Sequence, residues 1–461
     1  MQPRKSSFAL NIVKGAAVMF VMLSAFGAFA GAQTTYTENT IYTFGTQNNP
    51  DGMNPPHDGL VFDKAGNLYG TTQSDSGYGY GTVFELTPNG SGGWSETVLH
   101  FFNPESTTNL NDGAAPFGSL AIDSKGNLYG TTAAGGANGT GIVWELSPPP
   151  TGSTTWTETI LYSFGAPGSG DGYEPGGGVT LASSAATVLY GMTACGGSGP
   201  STYGGCGSSG GAGTVYQLAY VNKTKTVPAH WTETILHSFS GPDGAWSHGS
   251  LLLSGGTLYG WANGGAGAYC VEQFPTGCGV VFELQHGTDG WIETVLHNFG
   301  ATATDAWGAY LGTPVMDAKK NLYGTSGSGG TYGNGAVWEL AYSATTKTYT
   351  EQVIYSFNTG SEISAGLNWG LVYSKGSLFG ATGGWGGEPS GGNVFELTYK
   401  KPTKTAPGGW QETDIYDFPS AGDGPGWNQL IMDSKGNLYG MLSGIQDQNY
   451  GSVFEISPST E

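Results

Sequence analysis

Three short motifs recur seven times in one fixed order along the 461-residue chain, and only an internally repeated architecture accommodates that. Leu-Tyr-Gly begins at Leu68, Leu128, Leu189, Leu258, Leu322 and Leu438, with Leu-Phe-Gly at Leu378. Each copy is followed by Val83-Phe-Glu-Leu86 or a variant of it beginning at Val143, Val215, Val281, Val337, Val394 or Val453. A third motif, aromatic-x-Glu-x-x-x-His/Tyr-x-Phe, starts at Tyr36, Trp94, Trp156, Trp231, Trp291, Tyr349 and Trp410. The repeat is roughly 60 residues long, too short to bury a core alone, so neighbouring copies must pack on one another.

Each copy reads as four short strands. A run such as Ser119-Leu-Ala-Ile-Asp123 suits an inner strand A; a Gly/Asn turn leads to Leu-Tyr-Gly-Thr-Thr (B), a Gly-rich loop to Gly-Thr-Val-Phe-Glu-Leu (C), and Trp156 to Phe164 alternates as strand D. The expected fold is all-β: a seven-bladed β-propeller of four-stranded antiparallel blades. The mature chain opens with strand D and ends with strand C, so residues 36–44 are expected to complete the last blade with residues 428–456 and close the ring. An open stack of sheets is the alternative, but it needs capping repeats and neither end resembles one.

With 82 Gly, 13% aromatic and 11% charged residues, the chain is too aromatic for disorder, and the glycines lack the three-residue period of collagen. A formal charge of −20 removes nucleic acid as a partner, because phosphate neutralisation needs a basic surface. Arg4, Lys5 and Lys14, an apolar run from Gly15 to Phe26, and Ala28, Ala30 and Ala32 read as a secretory signal peptide over residues 1–32, leaving 33–461 as the propeller. An uncleaved anchor is the alternative. The C-terminal Ser457 to Glu461 carries no hydrophobic tail, so no membrane span is expected after cleavage, and the expected location is periplasmic or extracellular.

The sequence Trp-x-Glu-Thr-(Val/Ile)-Leu-His/Tyr-x-Phe, then Asp-Gly-x-x-Pro (Asp112 to Pro116, Asp171 to Pro175), Asp-x-x-Gly-Asn-Leu-Tyr-Gly-Thr-Thr and Gly-Thr-Val-Phe-Glu-Leu, resembles the GloVer tandem repeat of exported bacterial proteins, often grouped as choice-of-anchor tandem-repeat proteins. The resemblance implies export and a propeller-like array, and it supplies no catalytic residue. Cys195 and Cys206 share one B-to-C loop and Cys270 and Cys278 the next, so two local disulfides are expected, consistent with export. A zinc site is the rival, though no Cys-x-x-Cys spacing is present.

Charge placement separates two faces. Outside the signal segment all twelve basic residues are lysines in A-to-B turns (Lys64, Lys125, Lys319, Lys320, Lys375, Lys435) or C-to-D turns (Lys223, Lys225, Lys347, Lys400, Lys401, Lys404). The D-to-A and B-to-C connections hold acids and no lysine or arginine. The disc is therefore expected to have one acidic face and one lysine-bearing face suited to an anionic envelope surface.

Six copies carry an acid before strand A, at Asp51, Asp112, Asp171, Asp243, Asp305 and Asp423. Asp-Gly is first a turn signal, while oxygen-rich loops leave Ca²⁺ as a candidate cofactor. Tyr173, Trp246, Trp307, Trp369 and Trp427 belong to the same face, where rings beside carboxylates suit a glycan or another polyhydroxylated ligand; the four tryptophans lie close to strand A, and plugging the ring is their alternative role. A carbohydrate-active hydrolase or lyase using Asp58 and Asp305 is a second reading, and a structural or adhesion scaffold a third. Gly207-Ser-Ser-Gly-Gly211 matches a nucleophile-elbow pattern without the strand-turn-helix context. His100, His237 and His297 stand where other copies have Tyr42, Tyr162, Tyr355 and Tyr416, which reads as a packing position.

Overall fold

The computed structural model describes residues 35–45, 52, 55, 59–74, 79–90, 92–105, 111–200, 206, 210–265, 277–308, 312–358, 370–383, 391–404, 407–419, 429–442 and 450–459. Its strands form seven four-stranded antiparallel sheets, the blades of a propeller. Blade 1 comprises strands A (Val61–Phe62), B (Leu68–Thr72), C (Thr82–Pro88) and D (Trp94–Phe101). The same order repeats through blade 6, whose strand D is Gly409–Asp417.

Blade 7 takes strands A to C from Ile431–Met432, Leu438–Leu442 and Ser452–Pro458, and strand D from Tyr36–Thr43. Tyr36 pairs with Pro458, Glu38 with Ile456 and Thr43 with Ser452. The N-terminal strand thus covers what would be an open sheet edge, as the split repeat requires.

Strand B of blade 1 is buried at every position because neighbouring blades cover both of its faces. The apolar core is accordingly distributed as seven clusters, each shared by two adjacent blades; Phe299 of blade 4, for example, packs 5.3 Å from Trp338 of blade 5. The glycine of Leu-Tyr-Gly makes room for the strand C aromatic opposite it. Gly260 faces Phe282, and a Cβ there would lie 2.6 Å from the phenylalanine ring. Strands A line the axis closely enough to hydrogen-bond across blades, with Gly59 N–H donating to Ser119 Oγ at 3.1 Å and Gly178 N–H to Ser250 Oγ at 3.0 Å.

The pairing of strands C and D is interrupted in the same way in every blade. In blade 4, Val281 opposes His297 and Phe282 opposes Val295, leaving Leu296 as the extra residue of a bulge. Leu161 holds that position before Tyr162 in blade 2, and Leu236 before His237 in blade 3. A bulge bends the strand and re-aims the side chain beside it, so the His/Tyr position is set by backbone geometry common to all blades.

Candidate functional site

The D-to-A and B-to-C connections share one face because they hydrogen-bond to each other: Gly172 and Tyr173 pair with Gly196 and Cys195, and Ala306 and Trp307 with Gly329 and Ser328. That pairing buries rings the sequence placed at a binding surface. Tyr173 is 4% exposed and its hydroxyl donates to the Cys206 carbonyl at 3.0 Å, while Trp307 is 8% exposed. Both rings belong to the apolar clusters shared by adjacent blades, which leaves neither with an open face for stacking. Trp246 is half-buried, with a backbone φ of 49° and its ring 4.6 Å from His248. Asp58, Asp423, Trp369, Trp427 and Cys270 lie outside the described residues, as do Asp51 and residues 207–209. Cys195 and Cys206 form a disulfide, and Cys278 is disulfide-bonded as well.

Of the twelve lysines outside the N-terminal segment, eleven lie in the opposite connections and Lys400 ends strand C of blade 6 (Asn393–Lys400) beside one. This face is not purely cationic, because the A-to-B turns also carry Asp63, Asp123, Asp317 and Asp433. Their carboxylates are engaged within the turn: Asp63 Oδ1 accepts from Ala65 and Asn67 N–H at 2.8 and 2.9 Å, and Oδ2 from the Asn67 amide at 2.9 Å, with the same pattern at Asp123 and Asp433. They are turn caps, not cation sites.

The aspartates before strand A hold their connections too, Asp305 and Asp171 with one carboxylate oxygen and Asp112 with both. Asp305 Oδ2 accepts from Ala301 N–H at 2.9 Å, Asp171 Oδ2 from Gly165 N–H at 2.7 Å, and Asp112 Oδ2 from Asn103 N–H at 2.8 Å. Each carboxylate also faces the blade junction, where it meets the His/Tyr of one blade and a strand D glutamate of the next. Three junctions thereby bring together His100, Asp112 and Glu158; His237, Asp243 and Glu293; and His297, Asp305 and Glu351, with one ligand-capable atom per residue and all three atoms within 4.8 Å of one another. These histidines do pack, edge-on against Phe102, Phe239 and Phe299, and they also face two carboxylates each.

The clusters differ in closure. His237 Nε2 lies 3.0 Å from Asp243 Oδ2, and Ser240 donates its N–H and hydroxyl to Oδ1 at 2.7 and 2.8 Å. Burial would raise Asp243, but these bonds outweigh it and hold the carboxyl at about 2. His100 Nε2 is 3.5 Å from Asp112 Oδ1, which already accepts from Gly113 N–H at 2.7 Å. His297 Nε2 stops 3.7 Å from Asp305 Oδ1, and neither atom, nor Glu351 Oε1, has a hydrogen-bond partner among the described residues. Burial pushes Glu351 up to about 7, with the Asp305 charge adding and His297 opposing. Where blade 2 carries Tyr162, its hydroxyl donates to Asp171 Oδ2 at 2.9 Å, and Glu233 of blade 3 is pushed up to about 7 by burial and then by Asp171.

Two cavities open on the lysine-bearing face. One of about 610 Å³ lies beside the A-to-B turns of blades 1 and 2, lined by Phe62, Lys64, Ile122 and Lys125 among others. The other, of about 650 Å³, lies between blades 5 and 6 and is lined by Asp317, Tyr323, Glu339, Gln352, Tyr373, Tyr399 and Trp410 among others. Tyr323 stacks parallel to Tyr373 at 5.9 Å and meets Trp410 edge-on at 6.0 Å, while its hydroxyl donates to Glu339 at 3.0 Å. Tyr399 is 53% exposed.

The profile of the Gloeobacter/Verrucomicrobia repeat matches residues 26–206, 201–406 and 269–461. The chain belongs to this repeat family. No curated protein matches it in sequence. Among solved structures it is similar to Drosophila Semaphorin 1a, extracellular domains 1-2 (11% identity, 91% of this chain and 88% of that one, TM-score 0.48). It is also similar to phage phi92 endosialidase (12%, 93% and 70%, 0.42) and to Trypanosoma rangeli sialidase (11%, 80% and 57%, 0.40), so it spans just over half of the latter chain. The fold of this repeat protein stands on its own strand pairings.

Glu158, Glu293 and Glu351 are the site residues that sequence reasoning passed over. A glutamate recurs at this position in every copy as part of the alternating strand D motif, so nothing in the sequence singles these three out. The usable signal was the exchange of His for Tyr at a fixed position that precedes a recurrent Asp.

Proposed function

We propose that this chain is an exported propeller module that binds a polyhydroxylated ligand, of which glycans are the fitting class, in the cleft between blades 5 and 6. The carrying observation is the lining of that cavity, in which Tyr373, Tyr399 and Trp410 supply ring surface beside Lys319, with Asp317, Glu339 and Gln352 held in place behind them by hydrogen bonds within the protein. Sugars bind by laying C–H faces on aromatic rings while carboxylates and amides take their hydroxyls. The reading moves the ligand site from the acidic face, where Tyr173 and Trp307 are buried, to the lysine-bearing one. Export is supported by the N-terminal segment, by the family, and by the Cys195–Cys206 bond, since such bonds persist in oxidising compartments.

A glycan array followed by titration of the best ligand tests this. Trp410→Ala and Tyr399→Ala are expected to weaken binding about tenfold, the effect of losing about 1.4 kcal/mol of stacking. An array without a binder, or a ligand lost with Trp246→Ala and retained with Trp410→Ala, contradicts the assignment of this cleft.

A further inference from the structure

We propose that the histidine-bearing blade junctions are divalent transition-metal sites, with His297, Asp305 and Glu351 between blades 4 and 5 the most complete. This is independent of the glycan reading, because the cluster and the blade 5–6 cleft have different residues and stand at different junctions.

Four observations converge. The donor set is one imidazole nitrogen and two carboxylates, which suits Zn²⁺ or a similar first-row ion and leaves a coordination position for water. Asp305 is 8% exposed, yet its Oδ1 accepts no hydrogen bond, and His297 Nε2 and Glu351 Oε1 end in the same spot equally unmatched. Buried polar atoms without partners are uncommon in native proteins; Asp171 Oδ1 and Glu233 Oε1 share this state at the tyrosine junction, and the imidazole nitrogen is what completes a metal-binding donor set here. Metal–ligand bonds of about 2.1 Å put tetrahedral ligands roughly 3.4 Å apart; His297 Nε2 and Asp305 Oδ1 are 3.7 Å apart and all three atoms lie within 4.8 Å, so small side-chain rotations close the site. Finally, Asp305 Oδ2 is already anchored by Ala301 N–H at 2.9 Å, which orients the ligand carboxylate as outer partners do in metal sites. The imidazole favours a transition metal over Ca²⁺, which takes oxygen ligands. Because the ligands come from two blades and their connection, the ion would cross-link the junction.

The test uses the full-length protein, freed of metal with a chelator and titrated with Zn²⁺ by calorimetry, with bound metal counted by elemental analysis. Tyrosine is the informative replacement, because Tyr42, Tyr162, Tyr355 and Tyr416 occupy this position in other blades. The wild type is expected to hold three more Zn²⁺ than the combined His100→Tyr, His237→Tyr, His297→Tyr variant, matching the three clusters, and His297→Tyr alone is expected to lose one. Glu351→Gln should weaken the same equivalent about tenfold or more, and equimolar Ca²⁺ should not displace it. An unchanged melting temperature of the Tyr variants in chelator confirms that they are folded. Equal Zn²⁺ content in wild type and triple variant, or displacement of Zn²⁺ by equimolar Ca²⁺, overturns the proposal.

Discussion

At the junction of blades 2 and 3 the Tyr162 hydroxyl reaches Asp171 Oδ2 at 2.9 Å, whereas at the junction of blades 4 and 5 His297 Nε2 stops 3.7 Å from Asp305 Oδ1. Both side chains follow the same strand D bulge, both aspartates anchor a backbone N–H of their connection, and both junctions receive a glutamate from the next blade. The difference is one side chain. A phenol supplies a donor that bonds the carboxylate directly, and burial followed by that bond pushes its own ionisation far up. Asp171 Oδ1 and Glu233 Oε1 stay unpartnered among the described residues at the tyrosine junction as well, and what the imidazole adds at blades 4 and 5 is a nitrogen, His297 Nε2, within 4.8 Å of Asp305 and Glu351 oxygens. A repeat protein can therefore turn a structural joint into a ligand-binding one without altering its backbone.

The largest expected contrast comes from removing the aspartates. In chelator, Asp171→Ala loses partners for both Gly165 N–H and the Tyr162 hydroxyl and is expected to cost about 3 kcal/mol, against about 1.5 kcal/mol for Asp305→Ala, which strands only the Ala301 N–H. Urea unfolding measures both, and equal costs would break the comparison. Saturating Zn²⁺ should reverse the order by stabilising the wild-type blade 4–5 junction, which Asp305→Ala cannot share.

Tyr162→Phe isolates the hydroxyl and is expected to cost about 1 kcal/mol in the same assay. Protonation gives a contrast of similar size. The folded state raises Glu233 from its ordinary 4.5 to about 7, so folding binds a proton in that window, and the group's contribution falls as pH rises from about 4.5 to 7. Allowing for solvent screening of a half-exposed group, the loss is about 1 kcal/mol. Glu233→Gln should flatten this part of the stability–pH curve, and an unchanged slope would count against the burial argument. The smallest effect belongs to His297→Tyr in chelator, expected within about 0.5 kcal/mol of wild type because the backbone already accommodates Tyr there in other blades.

The architecture was legible because its determinants are local and repeated. Leu-Tyr-Gly marks a strand whose glycine must clear the aromatic opposite, as Gly260 does for Phe282, and the orphan strand at Tyr36 has one available edge, against Ser452–Pro458. The disulfide of Cys195 and Cys206 was legible for the same reason: both lie in one loop. The junction chemistry was hidden because Glu351 lies far along the chain from His297 and meets it only when adjacent blades pack. Periodicity also cannot tell an exposed ring from one covered by another connection, which is why Tyr173 and Trp307 looked available and are buried by the pairing of their connections.

A crystal of the full-length protein soaked in Zn²⁺, with anomalous scattering recorded at the zinc edge, shows whether a metal ion sits at the junction of blades 4 and 5. The account predicts a peak roughly 2.1 Å from His297 Nε2 and from the Asp305 and Glu351 carboxylates, absent from His297→Tyr crystals and from the Tyr162 junction. Density for an ordinary water at that point, or an equal peak in the His297→Tyr crystals, would contradict it.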